Sequence, residues 1–410
     1  MTGAESSAAA GALRREQRVR IARALLLTLP LFVFLLFTFL VPIGALLLRA
    51  VENPEVARAL PATVRALAGW REDAPVPDAA YAALARDLGA LRDTADAGLL
   101  ARRLNGEWPG ARSLVMGTFR KREALAGLEA AAAKAALVDG DPRWAQPEPW
   151  AVIARNGSRW TPDYLLAAVD LRRTSQGIGR VPDDQAVFVR LLLRTLGIGA
   201  TVTVLCLVFA YPLAWWLSTL SARTANRLLI LVLVPFWTSI LVRVAAWIVL
   251  LQSEGLVNRA LAGMGWIDRP LELLFNRTGV VIAMTHILLP FMILPLYSVM
   301  RSIPRDYQRA AVSLGSHPLG AFVRVVVPQT LPGVTAGVLL VFILAIGYYV
   351  TPALLGGPAD QMLSYSVAQY ANVELNWGMA CALGAVLLAA TLVLYGVYRR
   401  FASGEGLAAA

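Results

Sequence analysis

Six runs of apolar residues, each near the ~20 that the hydrocarbon core of a bilayer requires, dominate this chain. They lie at about 24–48, 195–220, 228–251, 278–300, 331–354 and 378–398. Backbone amides find no water inside a bilayer, so runs of this length must close their hydrogen bonds as helices. The chain is 57% hydrophobic with a mean hydropathy of +0.59, and that excess is concentrated in the runs. The expectation is an all-α polytopic membrane protein with about six transmembrane helices. Pro212, Pro235 and Pro290 fall inside runs and are expected to kink their helices.

The first run follows Arg14, Arg15, Arg18 and Arg20, as the core of a signal peptide would. A signal-peptide core spans about 7–15 residues, however, and no small-x-small cleavage site follows. Residues 24–50 read as a retained anchor.

Several function classes fall away on composition. Cys206 and Cys381 both sit in apolar runs and form no C-x-x-C pair, so they read as small core residues. Two histidines, His286 and His317, do not make a metal site. Lys121 and Lys134 are the only lysines and neither follows a glycine, so the chain has no phosphate-wrapping Gly-Lys-Ser/Thr loop. If ATP is used, another subunit binds it.

Charge orients the spans. With the N-terminus inside, segments 1–23, 221–227, 301–329 and 399–410 are cytoplasmic. They hold Arg23, Arg223, Arg227, Arg301, Arg305, Arg309, Arg324, Arg399 and Arg400 besides the four arginines above. The outer loops 252–277 and 355–376 hold only Arg259, Arg269 and Arg277. That asymmetry follows the positive-inside rule, and the reversed topology would violate it. The formal net charge of +11 therefore belongs to the membrane portion, mostly its cytoplasmic rims, and carries no implication of nucleic acid.

Residues 51–188 stand apart. They are polar, rich in alanine and balanced, with 18 acidic and 18 basic side chains. Tyr81, Leu84, Leu88 and Leu91 recur at helical spacing, as do Leu114, Val115, Phe119, Leu125 and Leu128. Gly and Pro clusters near 139–149 and 177–182 break the pattern. A small helical extracytoplasmic insert is expected, and no catalytic spacing marks it.

Between the fourth and fifth spans lies RDYQRAAVSLGSHPLGAFVRVVVPQTLPG, residues 305–333. Asp306 to Leu314 is expected to form a short helix, and Gly315 permits a sharp turn. A second amphipathic stretch follows, with Leu319, Phe322 and Val325 toward one face. Pro328 and Pro332 then open the next span, where a missing N–H costs little. The product is a cytoplasmic elbow that offers a soluble partner an apolar knob with basic flanks.

This elbow resembles the EAA-x3-G-x9-I-x-L-P loop of permease subunits of binding-protein-dependent ABC importers, which docks in a groove of the ATPase. Arg309, Ala310, Ala311, Gly315, Val325, Val327 and Pro328 hold the matching positions. Arg309 stands where the family has glutamate, a reversal of charge; the two valines are mild replacements. The stretches TLGIGATVTVLCLVFAYPLAWWL (195–217), LVPFWTSILVRVAAWIVLLQSEGLVN (233–258) and YYVTPALLGGPADQML (348–363) are similar to the spermidine/putrescine type of these permeases. The resemblance covers about 190–400 and the first span, not 51–188.

The resemblance implies a type I importer core in a bacterial inner membrane, with both termini cytoplasmic. Its parts would be a basic tail 1–23, a first span 24–50, the insert 51–188, a core 189–400 with coupling loop 301–329, and a tail 401–410. The implied partners are a cytoplasmic ATPase dimer carrying ATP and Mg, a second permease subunit, an extracytoplasmic solute-binding protein and membrane lipid. No cofactor is expected on this chain, which would be a transport subunit and not an enzyme.

Inside the spans, Arg243 reads either as a pathway or subunit-contact residue or as a side chain snorkelling to the headgroups. His286 could line a pathway or serve as a hydrogen-bonded packing residue. Trp237, Trp247, Tyr348 and Tyr349 could stack on a cationic solute or anchor span ends at the interface. A polyamine also requires carboxylates, and the outer loops offer Glu254, Asp360 and Glu374. Competing readings are a permease for an opine, a phosphonate or ferric iron, a sensor using 51–188 as a ligand domain, and a membrane enzyme. The last lacks intramembrane acid–base clusters, and the sensor lacks a cytoplasmic output domain.

Overall fold

The computed structural model describes residues 26–174 and 177–402, which divide after Pro162 into two compact units. The expected tails 1–23 and 401–410 lie outside the described residues or at their edge. Six helices are long and apolar enough to cross a membrane, as the hydropathy pattern predicts.

The first unit begins with α1, Leu26–Arg49, none of whose apolar window is buried. A helical domain follows, built from α2 (Pro54–Ala59), α3 (Pro61–Ala66), α4 (Asp78–Ala90), α5 (Thr94–Asn105), α6 (Ala111–Arg120), α7 (Ala130–Gly140) and α8 (Pro147–Arg155). The residues whose spacing predicts helices line its core: Tyr81, Leu84 and Leu88 from α4, and Leu114, Val115 and Phe119 from α6. Trp144 and Trp150 fill the centre and satisfy their indole N–H groups locally. Trp144 donates to Thr118 Oγ1 at 2.9 Å and Trp150 to the Trp144 carbonyl at 3.0 Å, while Tyr81 Oη donates to the same carbonyl at 3.1 Å.

This domain closes on itself. Asn53 N donates to Arg159 O at 2.7 Å and Thr161 N to Val51 O at 2.8 Å, so the chain enters and leaves at one seam. Beneath the seam, Asn53 Nδ2 donates to Asn156 Oδ1 at 2.9 Å and Arg103 Nε to Asn53 Oδ1 at 3.0 Å. Arg103 also reaches Asn156 Oδ1 and forms an ion pair with Glu107 at 2.9 Å. Both asparagines are fully buried, and the network supplies the partners that burial demands.

Residues 163–187, expected within the insert, group with the second unit. Tyr164 lies so close to Gly378 that a Cβ there would fall 2.4 Å from its ring. Asp170 accepts from the backbone N–H groups of Val187, Phe188 and Val189, capping the next long helix at its positive end. Between them a hairpin pairs β1 (Leu171–Thr174) with β2 (Gly177–Arg180) in the register Leu171↔Arg180. The hairpin falls where the Gly and Pro cluster near 177–182 breaks the helical pattern, and Gly177 and Gly179 disfavour helix there.

The second unit centres on three helices packed on one another: α9 (Phe188–Thr219), α13 (Arg277–Ser302) and α15 (Pro318–Gly347). Cys206 is buried in α9 and lies against Thr285 O of α13 at 3.5 Å; Cys381 is buried in α18 (Trp377–Ala402). The hydroxyls of Tyr211 on α9 and Thr330 on α15 meet at 3.1 Å. Pro212 and Pro290 sit inside continuous helices.

Pro235 does more than kink. The expected third span, 228–251, is broken into α10 (Ala222–Leu233) and α11 (Ile240–Leu251) by a tight turn at Val234–Trp237. Proline removes the N–H that would continue the ladder, and Thr238 and Ser239 are extended. α11 ends at Leu251, a turn over residues 252–255 leads into α12 (Leu256–Gly263), and the two together reach spanning length. The fifth span also differs: it starts earlier, at Pro318, and stops at Gly347, with a short α16 (Val350–Leu355) and then α17 (Leu363–Asn372) before α18.

Candidate functional site

After α13 ends at Ser302, the chain forms α14 (Asp306–Ser313) and turns at Gly315. Gly315 has φ +95°, the left-handed region that glycine enters at no steric cost. Three bonds close the turn: Leu314 N to Ala310 O at 3.0 Å, Gly315 N to Val312 O at 2.9 Å and Ser316 N to Ala311 O at 3.1 Å. The bonds to the Ala311 and Val312 carbonyls terminate α14 in a glycine-centred cap of the Schellman kind. His317 caps the following helix, its Nδ1 accepting from Leu319 N at 3.3 Å.

The second limb of this elbow is the start of α15 itself. A single wide turn at Phe322–Val326 carries the helix from Pro318 into the span without a break, where the sequence suggests a separate stretch ending at Pro328. Val327 N reaches back to Phe322 O just ahead of Pro328, which has no N–H to give. Gln329 Nε2 donates to the Val325 carbonyl at 2.7 Å. Val325, Val327 and Pro328 thus form a rigid junction between elbow and span. At the tip, Leu314 (89% exposed) and Leu319 (69% exposed) flank Gly315 with no apolar cover. Arg309 is exposed beside them, 3.5 Å from an equally exposed Asp306.

Two arginines that sequence reasoning used only to orient the spans tie this elbow to α9. Arg301 donates to Ser218 O at 3.0 Å and Leu220 O at 2.8 Å; Arg305 donates to Ser218 O at 3.3 Å and to Thr219 O. These are orphan carbonyls at a helix C-terminus, where cations are also favoured by the helix dipole. Phe322 packs edge-on against Trp215 of α9 at 4.8 Å. A cavity of about 750 Å³ lies between, walled by Trp215, Arg301, Arg305, Arg309, Val312 and Val326.

Within the spans the structure brings together Arg243, Trp247 and His286. Trp247 Nε1 donates to His286 Nδ1 at 3.2 Å, and the rings meet edge to face at 5.3 Å. Arg243 and His286 share a cavity of about 260 Å³ with Leu213, Phe236 and Pro290. The Arg243 guanidinium lies 5.5 Å from the Phe236 ring centre, and its Nε is buried with no hydrogen-bond partner among the described residues. A charge in a span costs about 2.5–3.5 kcal/mol at mid-bilayer by insertion scales, so an incompletely satisfied one is informative. Trp237 (80% exposed) and Tyr349 (43% exposed) stand outside this cluster, and the Tyr348 carbonyl accepts from Ser364 Oγ at 3.0 Å. Of the loop carboxylates, Asp360 is buried and held by Arg277 at 3.2 Å.

Residues 188–404 match the family described as binding-protein-dependent transport system inner membrane component. Over 215 residues the chain is 34% identical to the spermidine/putrescine transport system permease protein PotB of Escherichia coli, covering 52% of this chain and 78% of that protein. PotB of Haemophilus influenzae is likewise 34% identical over 216 residues, 52% of this chain and 75% of that protein. Among solved structures, a bacterial alginate ABC transporter aligns with a TM-score of 0.43 at 16% identity, covering 54% of this chain and 79% of that one.

Proposed function

The chain belongs to the family of inner membrane components of binding-protein-dependent transport systems, and from that premise we propose that it is one membrane-spanning subunit of an ATP-driven importer of spermidine, putrescine or a related cationic amine. The multi-pass inner membrane location follows from the family and the six apolar helices. The observation that carries the mechanism is the elbow, an exposed apolar tip joined rigidly to α15 and bonded to the end of α9.

In this reading the elbow projects into the cytoplasm, with both termini on that side and residues 51–162 outside. An ATPase dimer carrying ATP and Mg grips Leu314 and Leu319 around Gly315. Closure of the ATPases moves the elbow, and the junction at Val325, Val327 and Pro328 transmits that movement to α15. Arg301 and Arg305 pass it to α9. The spans then alternate between inward- and outward-facing states, a bistable element biased by nucleotide. An extracytoplasmic binding protein delivers the solute, and Arg243, Trp247 and His286 lie beside its path, with Trp237, Tyr348 and Tyr349 as further aromatic surface. Arg309 presents a positive charge to the ATPase where relatives of the resembled family present a negative one. The amine follows from the PotB similarity, 34% identical over half of this chain.

The test is reconstitution. The chain is co-expressed with its ATPase, second permease and binding protein, and the complex is placed in vesicles. ATP-dependent uptake of labelled spermidine or putrescine that requires the binding protein supports the reading. Uptake of neither amine, with normal uptake of a phosphonate or an opine, removes the amine while keeping the importer. An assembly that takes up no solute and binds no ATPase removes both.

A further inference from the structure

Arg243 is the only ionisable side chain in α11, and its surroundings leave a charge unanswered. Its Nε is buried with no partner among the described residues, and Phe236 covers one face of the guanidinium. A π-face balances a cation but accepts none of the in-plane N–H groups. His286, across the same cavity, already takes the Trp247 N–H on its Nδ1.

The six candidate spans of this chain offer it little in return. Glu254 is the sole aspartate or glutamate within its six candidate spans, and it sits exposed at the turn between α11 and α12. Eleven residues separate it from Arg243, and the eight of them to the end of α11 at Leu251 already span about 12 Å at 1.5 Å per residue. Arg243 stands three residues from the start of its own candidate span, and the His286 it faces lies further along another. His286 lies nine residues from one end of α13 and sixteen from the other, about 14 Å and about 24 Å by the same rise. Around Arg243, the apolar side chains of Leu231, Trp237, Leu241 and Val242 are all more than half exposed. They form a surface that lipid or another chain covers in the membrane.

We propose that the cavity at Arg243 and His286 receives a carboxylate from the second membrane-spanning subunit. A second copy of this chain offers from its six candidate spans only Glu254, at the turn beyond the end of α11, so the carboxylate is drawn from a different chain. The inference rests on the reading of this protein as one of two membrane subunits. It deepens that reading, since a cationic solute crossing the spans needs a carboxylate and the six candidate spans of this chain hold only Glu254. The guanidinium then holds the partner's carboxylate in the resting state, where a solute ammonium group competes for it.

The experiment uses the complete transporter with a photoactivatable thiol reagent on Val242→Cys, next to an intact Arg243. Cys206 and Cys381 are both buried and are replaced by serine to silence the background. Illumination is expected to join this chain to a different membrane-spanning subunit, at a peptide containing Asp or Glu. Arg243→Gln is expected to lower recovery of that subunit in mild detergent several-fold, and Arg243→Lys to lower it less. Adducts formed only with lipid or with a second copy of this chain overturn the proposal, as does unchanged recovery with Arg243→Gln. Loss of the adduct on adding a soluble dicarboxylate such as succinate also overturns it, because the cavity would then hold an anionic cargo. Neither readout uses amine uptake, so a wrong solute and a wrong partner give different results.

Discussion

Arg301, in the last turn of α13, donates to the carbonyl of Leu220, one residue beyond the end of α9, at 2.8 Å. The bond joins two helices through the peptide that terminates one of them, so the elbow following α13 cannot move without carrying the end of α9. A second bond from the same nitrogen to Ser218 O and the parallel grip of Arg305 make the connection redundant.

Redundancy shapes the first prediction. Arg301→Met alone, with Arg305 in place, is expected to reduce uptake modestly, while Arg301→Met with Arg305→Met reduces it sharply. Hydrogen bonds from charged donors contribute about 1.5–3 kcal/mol each when buried, and these exposed ones belong at or below the low end. A loss of about 1–2 kcal/mol in coupling corresponds to roughly a 5–30-fold fall in amine taken up per ATP hydrolysed. The measurement is uptake and hydrolysis in the same vesicles. A proportional fall in both would point to lost assembly and count against a coupling role.

Gly315 gives a graded test. Its surroundings are open, with no atom within 4 Å of where a Cβ would sit, so a side chain there meets only the backbone penalty of φ +95°. That penalty is about 1–2 kcal/mol for most L-residues and is least for asparagine. Uptake is expected to fall in the order Gly, Asn, Ala, Val at position 315, with membrane insertion unchanged. Equal uptake across the series would show that the turn geometry plays no part.

The spans and the elbow are legible in the sequence because both rest on strong one-dimensional signals, apolar run length and the placement of Gly315, Pro318 and Pro328. Other features are not, for reasons each residue makes plain. Pro235 reads as a kink, but whether a proline bends or breaks a span depends on what neighbouring helices offer the freed carbonyls. Residues 171–180 give no strand signal because a four-residue strand carries too little period to register. Arg301 and Arg305 register as topology signals, and nothing in their spacing reveals that they meet carbonyls more than eighty residues away. Gly378 looks like one more small residue of a span until Tyr164 is found against it.

The helical domain of residues 51–162 carries its own pH dependence. Arg143 holds the Asp141 carboxyl below its ordinary range through paired side-chain bonds at 2.7 and 3.0 Å, and partial burial opposes this. The Arg143 backbone N–H adds a further bond at 3.1 Å. A lowered carboxyl pKa stabilises the fold at neutral pH, and that contribution is lost as pH falls below the unfolded value of 3.8 and through the folded one. Arg143 also reaches Gly110 O at 3.0 Å and Ser113 Oγ at 3.1 Å, so its release loosens α6 as well. Asp141→Asn is expected to raise hydrogen exchange around 110–113 and 142–146 at pH 7 by several-fold. The difference from wild type should shrink as pH falls from 3.8 through the lower folded value; a difference that stays constant over that fall would assign the effect to packing.

The seam beneath Asn53 makes the strongest stability prediction. Asn53 and Asn156 are fully buried, and Arg103 donates to the side-chain oxygens of both while its own side chain is only 9% exposed. Removing the donor leaves two buried acceptors short of partners, and each such group costs about 1–3 kcal/mol. Arg103→Leu is therefore expected to destabilise this domain by roughly 2–4 kcal/mol, discounted because the asparagines can still bond each other. Arg103→Lys keeps the charge but lacks the planar fork that spans two oxygens and a carboxylate, so it should recover only part of the loss. Replacing all three partners together, with Arg103→Leu, Asn53→Leu and Asn156→Leu, removes the orphaned groups and should cost less than the three single losses added. Exchange at the Asn53 and Thr161 amides, which close the seam, reports the opening directly. Additive losses across that series would show three independent contacts in place of one network.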